Sequence, residues 1–103
     1  MKTKAIADII YRMLKENNVG FKEFYALSRK EWGMPEDCSD FHILVVVDNG
    51  IDTHNVRHNI YEALDTIYDD FEVDVGVIVK DENEFKTSPL TSDFVGIGVH
   101  CVA

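Results

Sequence analysis

The stretch CSDFHILVVVDNG, residues 38–50, decides the fold, because it contains an uninterrupted apolar run from Ile43 to Val47. Such a run predicts a buried strand. It is preceded by two polar side chains, Asp40 and His42, which are two residues apart. Residues i and i+2 of a strand lie on the same face, so these two side chains would stand side by side at one strand end. The pair is either the edge of a surface turn or half of a metal site.

Two amphipathic helices are predicted around this strand. The first lies near the N-terminus, where apolar residues recur every three or four positions, and it ends at Asn18 or Gly20, either of which can adopt the left-handed conformation. The second begins after the strand, with Asp52 or Thr53 as its N-cap, and extends to about residue 70.

Three further segments have strand character: the aromatic-rich FKEFYALS (residues 21–28), the alternating FEVDVGVIVK (71–80), and the apolar end of SPLTSDFVGIGVHCVA (88–103). In chain order, the opening stretch is the second strand and residues 71–80 are the third. A long helix joins these two strands, so a right-handed crossover makes them parallel neighbours. The orientation of the first strand stays open. The fold class predicted is α/β (α+β), a small mixed sheet of three to four strands with two long helices.

Length and charge limit the functions that are available. A chain of 103 residues with 46% apolar content is expected to form a single domain over residues 1–103. The net charge of −9 argues against long nucleic acid as a partner, because an acidic surface repels phosphate backbones. No segment resembles a membrane span or a signal peptide, so a cytoplasmic protein is expected. In that compartment Cys38 and Cys101 are expected to be free thiols.

A second acidic position accompanies the first. Asp74 lies early in the third predicted strand, and if that strand runs parallel to the second, the carboxylates of Asp40 and Asp74 lie at matching heights. Converging carboxylates provide the hard oxygen ligands that Mg²⁺ prefers. Acidic residues near strand ends are also common as solvated edge residues, and the spacing leaves both interpretations open.

The segment LSRKEWGMPEDCSDFHILVVVD, residues 27–48, followed after one helix by VDVGVIV, residues 73–79, resembles the minimal nucleotidyltransferases of the polymerase-β-like superfamily. Their signature is Gly-Ser at the end of the first strand, a second Gly, Ser-Asp-x-Asp before an apolar strand, and a third carboxylate on the strand after the next helix. The resemblance implies a nucleotidyltransferase-like fold. It also implies metal-dependent transfer of a nucleoside monophosphate from a nucleoside triphosphate to a hydroxyl acceptor.

The same resemblance implies roles for single residues. Ser28 would bind the nucleotide phosphates, with Gly33 as the second glycine. Asp40 and Asp74 would be the catalytic carboxylates, and they would bind Mg²⁺ or Mn²⁺ together with His42. Arg29, which follows Ser28, could hold a triphosphate or be an exposed charge at a turn.

Two signature positions differ. Leu27 replaces the glycine that lets phosphate approach the backbone, and His42 replaces the second aspartate with a ligand better suited to Mn²⁺ or Zn²⁺. Whether the chain is an enzyme is therefore left open. The alternatives are a non-catalytic nucleotide- or protein-binding module, such as an antitoxin-like partner of a small helical protein, and a plain interaction domain. The tracts FKEFYAL and VGIGV suggest sheet edges that could pair in a homo-oligomer.

Overall fold

The structure, a computed structural model, describes residues 3–29, 33, 41–71, 74–88 and 99–102. In this part of the chain, three helices and four strands follow one another in this order: α1 (Thr3–Glu16), β1 (Glu23–Ser28), β2 (Phe41–Val47), α2 (Thr53–Phe71), β3 (Val75–Asp81), α3 (Glu82–Thr87) and β4 (Val99–Val102).

The four strands form one mixed sheet in the order β3-β2-β1-β4. Strands β2 and β3 are parallel, as the intervening helix predicted. Strand β1 is antiparallel to both β2 and β4, which settles the orientation that the sequence left open. The predicted fold class is confirmed: a small mixed sheet of four strands with two long helices. Since β1 has neighbours on both sides, the tract FKEFYAL is not a sheet edge, and that hypothesis was wrong. Most of VGIGV lies outside the described residues.

Helix α1 ends through its backbone. Asn18 has φ of 57°, the N–H of Val19 donates to the carbonyl of Leu14 at 3.0 Å, and the N–H of Asn18 donates to that of Lys15 at 3.1 Å. This hydrogen-bond pattern is the Schellman motif. Of the two predicted stop residues, Asn18 rather than Gly20 takes the left-handed conformation.

Helix α2 begins at its predicted cap and ends later than expected. The carboxylate of Asp52 accepts hydrogen bonds from the N–H groups of His54 and Asn55 at 3.0 and 3.3 Å. The helix continues through Phe71, which the sequence assigned to the third strand. That assignment was wrong. Phe71 lies seven residues after Leu64, so in the sequence it continues the helical apolar stripe as well as the strand alternation, and the pattern alone does not decide between the two.

The sheet buries both of its faces. On the helix face, which α1 and α2 cover, side chains of β1, β2 and β3 join the main core, among them Phe24, Ile43, Val45 and Val77. The opposite face carries a smaller apolar cluster of Tyr25, Leu27, Leu44 and Val46, with Ile78 and Phe85 packed against it. Strand β2 lies inside the sheet and contributes to both clusters, which explains why its apolar run does not alternate with polar residues.

No helix in the described ranges has the length and the apolar character that crossing a membrane requires.

Candidate functional site

Three strand ends meet at one end of the sheet, which we call the site edge. Ser28, the last residue of β1, pairs with Phe41, the first residue of β2, and Phe41 pairs with Val75, the first residue of β3. The N–H of Phe41 donates to the carbonyl of Asp74 at 3.1 Å. The register therefore brings Ser28, His42 and Asp74 to the same end of the sheet.

His42 and Asp74 also share a face. Their neighbours Ile43 and Val75 belong to the core on the helix face, so alternation directs His42 and Asp74 to the opposite face. The side chain of His42 is half-buried, whereas Asp74 is exposed. The negative charge of the Asp74 carboxylate raises the pKa of the His42 imidazole.

Burial nevertheless dominates the protonation of His42. Loss of water around the imidazole lowers its pKa below the ordinary 6.5, and the attraction of Asp74 only partly offsets this effect. The Nδ1 atom itself is buried. At neutral pH His42 is therefore an uncharged imidazole, the form in which a histidine binds a metal ion.

Leu27 lies directly across from His42 in the antiparallel β1–β2 pair. It is fully buried and belongs to the cluster on the opposite face. Side chains that face each other in this way are about 5 Å apart, so the leucine is an apolar neighbour of the imidazole. The position where the resembling family has glycine is thus filled by a buried side chain.

The residues predicted to hold phosphate are less closely grouped than His42 and Asp74 are. Ser28 follows the alternation of Phe24 and Ala26 and so is directed to the helix face, away from the face of His42. Ser28 and Arg29 are both half-buried at the end of β1. Gly33 is exposed and has φ of 74°, the left-handed region that favours glycine.

Asp40, the predicted first metal ligand, lies outside the described residues. Within the described ranges, no group of three or more His, Cys, Asp or Glu side chains could hold a metal ion. The described part of the site edge contains two side chains whose atoms are able to bind a cation, the carboxylate of Asp74 and the neutral imidazole of His42.

The sequence did not single out a charged cluster at the other end of the sheet. Lys22 forms ion pairs with Asp48, at 3.0 Å, and with Glu82. Both carboxylates raise the pKa of Lys22, so the ammonium group stays charged. A cavity of about 350 Å³ adjoins this cluster, between Lys22, Val46 and Phe85. No spacing rule could have found the cluster, because its members come from three separate segments.

The comparisons with known proteins add one likeness. No protein-family model matches the chain, and no curated protein matches it. Among solved structures, the chain is similar to the crystal structure, at 1.40 Å resolution, of a candidate nucleotidyltransferase from Sulfolobus solfataricus. The two are 21% identical, the likeness covers 97% of this chain and 87% of the other, and the TM-score is 0.44. A likeness at this level assigns no catalytic residue and no cation.

Proposed function

We propose that the chain binds a nucleoside triphosphate and a divalent cation at the site edge and transfers the nucleoside monophosphate to a hydroxyl acceptor. The observation that carries the proposal is the strand register, which brings His42 and Asp74 together on one face beside the end of β1. The sequence resemblance of residues 27–48 and 73–79 to nucleotidyltransferases supports the same reaction.

The ligands of the cation would be Asp74, His42 and Asp40, which directly precedes β2 in the sequence. The bound cation would neutralise the phosphate charge that builds up during transfer. A neutral imidazole beside a carboxylate suits Mn²⁺ better than Mg²⁺, because Mg²⁺ prefers oxygen ligands alone. We therefore propose Mn²⁺ as the preferred ion and Mg²⁺ as the weaker one.

The chain's own groups would position the reactants. Arg29 would attract the triphosphate by its charge, and the hydroxyl of Ser28 would donate a hydrogen bond to a phosphate oxygen. The acceptor's oxygen would bond to the α-phosphorus, while the bond between the α-phosphorus and the oxygen that bridges it to the β-phosphate would break. The electron pair of that bond would leave with pyrophosphate. The carboxylate of Asp74 would take the acceptor's proton.

A second candidate function is non-catalytic binding of a nucleotide. The specific observation that favours it is Leu27, which is fully buried opposite His42. A leucine there closes the approach to the backbone that glycine would leave open, and imidazole brings no negative charge for a second cation. Such a protein would bind a nucleotide with one cation and would not turn it over.

A thermal-shift titration with ATP, GTP, CTP and UTP, each with Mg²⁺ or Mn²⁺, tests binding. Ligand at about 100 times its Kd stabilises the folded state by about 2.7 kcal/mol, which a melting curve resolves. We expect a nucleotide shift that requires cation, is larger with Mn²⁺, and is lost in Asp74→Asn. The matched control is Asp65→Asn, another exposed aspartate, on α2. Flat curves for all eight pairs would refute binding at the site edge.

Turnover distinguishes the two candidates. The protein is incubated with α-labelled nucleotide, cation and cell lysate, and macromolecular and small-molecule fractions are scanned for label. Incorporation that Asp74→Asn abolishes supports transfer. A cation-dependent thermal shift without incorporation in either fraction supports the binding module.

A further inference from the structure

Strand β3 forms one edge of the sheet, and in the described part of the chain it has a strand neighbour, β2, on one side only. On the other side, two side chains from α2 contact its backbone at Val77. The N–H of Val77 donates to the hydroxyl of Tyr61 at 3.2 Å, and the Nε of Arg57 donates to the carbonyl of Val77 at 3.1 Å. The Arg57 guanidinium also lies over the Tyr61 ring, 5.4 Å from its centroid.

Together these side chains do what a neighbouring strand would do. In an antiparallel pair, a hydrogen-bonded residue gives its N–H to an acceptor and its carbonyl to a donor on the adjacent strand. Tyr61 supplies the acceptor and Arg57 the donor for Val77. Unpaired backbone groups on an edge strand are a template for pairing with another chain, so occupying them blocks strand addition at this point.

The strand that best fits this edge is a second copy of β3. If two β3 strands pair antiparallel about a two-fold axis at Val77, the two Val77 residues exchange both hydrogen bonds. The same register sets Gly76 of each copy opposite Ile78 of the other, a small residue against a large one. It also sets Lys80 of each copy opposite Asp74 of the other. Opposite charges facing each other across a strand pair are stabilising.

We propose that Arg57 and Tyr61 block self-association along the outer edge of β3. When both side chains are removed, the β3 strand of a second copy pairs with this edge. The net charge of −9 opposes association in general. The two Lys80–Asp74 pairs of the symmetric register are a local exception to that repulsion.

The first experiment is sedimentation velocity over a range of protein concentrations on Arg57→Ala/Tyr61→Phe. The matched control is His58→Ala/Glu62→Gln, which alters two exposed side chains of the same helix whose Nε2 and Oε1 atoms lie 3.1 Å apart. We expect the control to keep the wild-type mass. The Arg57→Ala/Tyr61→Phe variant should add a concentration-dependent doubling. An unchanged mass for that variant, with a wild-type circular dichroism spectrum, would overturn the proposal.

The register is tested in the same background. Adding Lys80→Glu sets like charges opposite each other in both pairs and should raise the dimer dissociation constant by about tenfold, whereas Asp74→Lys together with Lys80→Glu should restore association. If Lys80→Glu does not change the concentration-dependent doubling of mass, the proposed β3 register is wrong. If the double variant does not fold, Tyr61→Phe alone keeps the ring and loses only the hydroxyl. This variant should show a weaker concentration-dependent doubling of mass, and Lys80→Glu should weaken it further. If Tyr61→Phe shows no doubling, the proposal is overturned.

Discussion

Leu27 and His42 face each other directly across β1 and β2, and the leucine is fully buried. The pair links the fold to the chemistry of the site edge, because Leu27 is an apolar neighbour of an imidazole whose burial lowers its pKa. One of the two residues that differ from the nucleotidyltransferase signature thus lies directly beside the proposed metal ligand.

We expect Leu27→Ala to lower the free energy of unfolding by about 2–5 kcal/mol, as removal of a buried leucine side chain generally does. It should also raise the pKa of His42 towards 6.5, because water enters the space that the leucine filled. Urea unfolding and an NMR titration of the His42 ring measure the two effects. Leu14→Ala is the matched control, since Leu14 is equally buried in the helix-face core. A His42 pKa that responds equally in both variants would contradict this account.

The lowered pKa of His42 predicts how stability depends on pH. The unfolded chain takes up a proton on His42 near pH 6.5, while the folded chain does so only at a lower pH. The contribution of His42 is therefore fully present above pH 6.5 and is lost as the pH falls from 6.5 to the folded pKa. Urea unfolding from pH 8 to pH 5 should show a smaller loss of stability in His42→Asn than in the wild type. Parallel curves for the two proteins would refute the prediction.

His42→Asp restores the carboxylate of the resembling family. We expect it to shift cation preference towards Mg²⁺, with binding tighter by about tenfold or more, because a third hard oxygen ligand replaces nitrogen. Without cation the variant should be less stable than the wild type, since two carboxylates then share the half-buried end of the sheet. Calorimetric titration with Mg²⁺ and Mn²⁺ measures the preference. An unchanged ratio of the two affinities would show that His42 is not a ligand.

Tyr61→Phe removes one hydroxyl from the β3 edge. The N–H of Val77 loses its acceptor, so in the monomeric variant its hydrogen exchange should become at least about tenfold faster, which corresponds to about 1.4 kcal/mol of lost protection. NMR-detected exchange measures this amide against that of Val45 in β2, which should change little. Equal acceleration at both positions would indicate a global loss of stability instead.

The capping box of α3 offers a test of local stability. The side chain of Asp81 accepts from the N–H of Glu84 at 2.8 Å, and the Glu84 carboxylate accepts from the N–H of Asp81 at 3.2 Å. We expect Asp81→Ala to cost about 1 kcal/mol and Asp81→Asn much less, because asparagine also caps helices. The melting temperatures should follow that order, and equal losses for both variants would rule out a capping role.

Local patterns in the sequence determined most of the secondary structure. The apolar run from Ile43 to Val47 identified a buried strand, the pair Asp52 and Thr53 identified the start of α2, and the crossover helix predicted the parallel pairing of β2 and β3. These features depend on near neighbours in the chain, which the sequence displays directly. Where two local patterns coincided, as at Phe71, the sequence could not decide between helix and strand.

For the site, the sequence determined which residues have suitable chemistry: the carboxylate of Asp74 and the imidazole of His42. Only the tertiary structure decided that Leu27 faces His42, that Ser28 is directed to the other face, and that Arg57 and Tyr61 complete the backbone hydrogen bonds of Val77. The physical reason is that strand register and the docking of a helix against a sheet edge depend on the packing of segments distant in the chain. Local propensity carries no record of that packing.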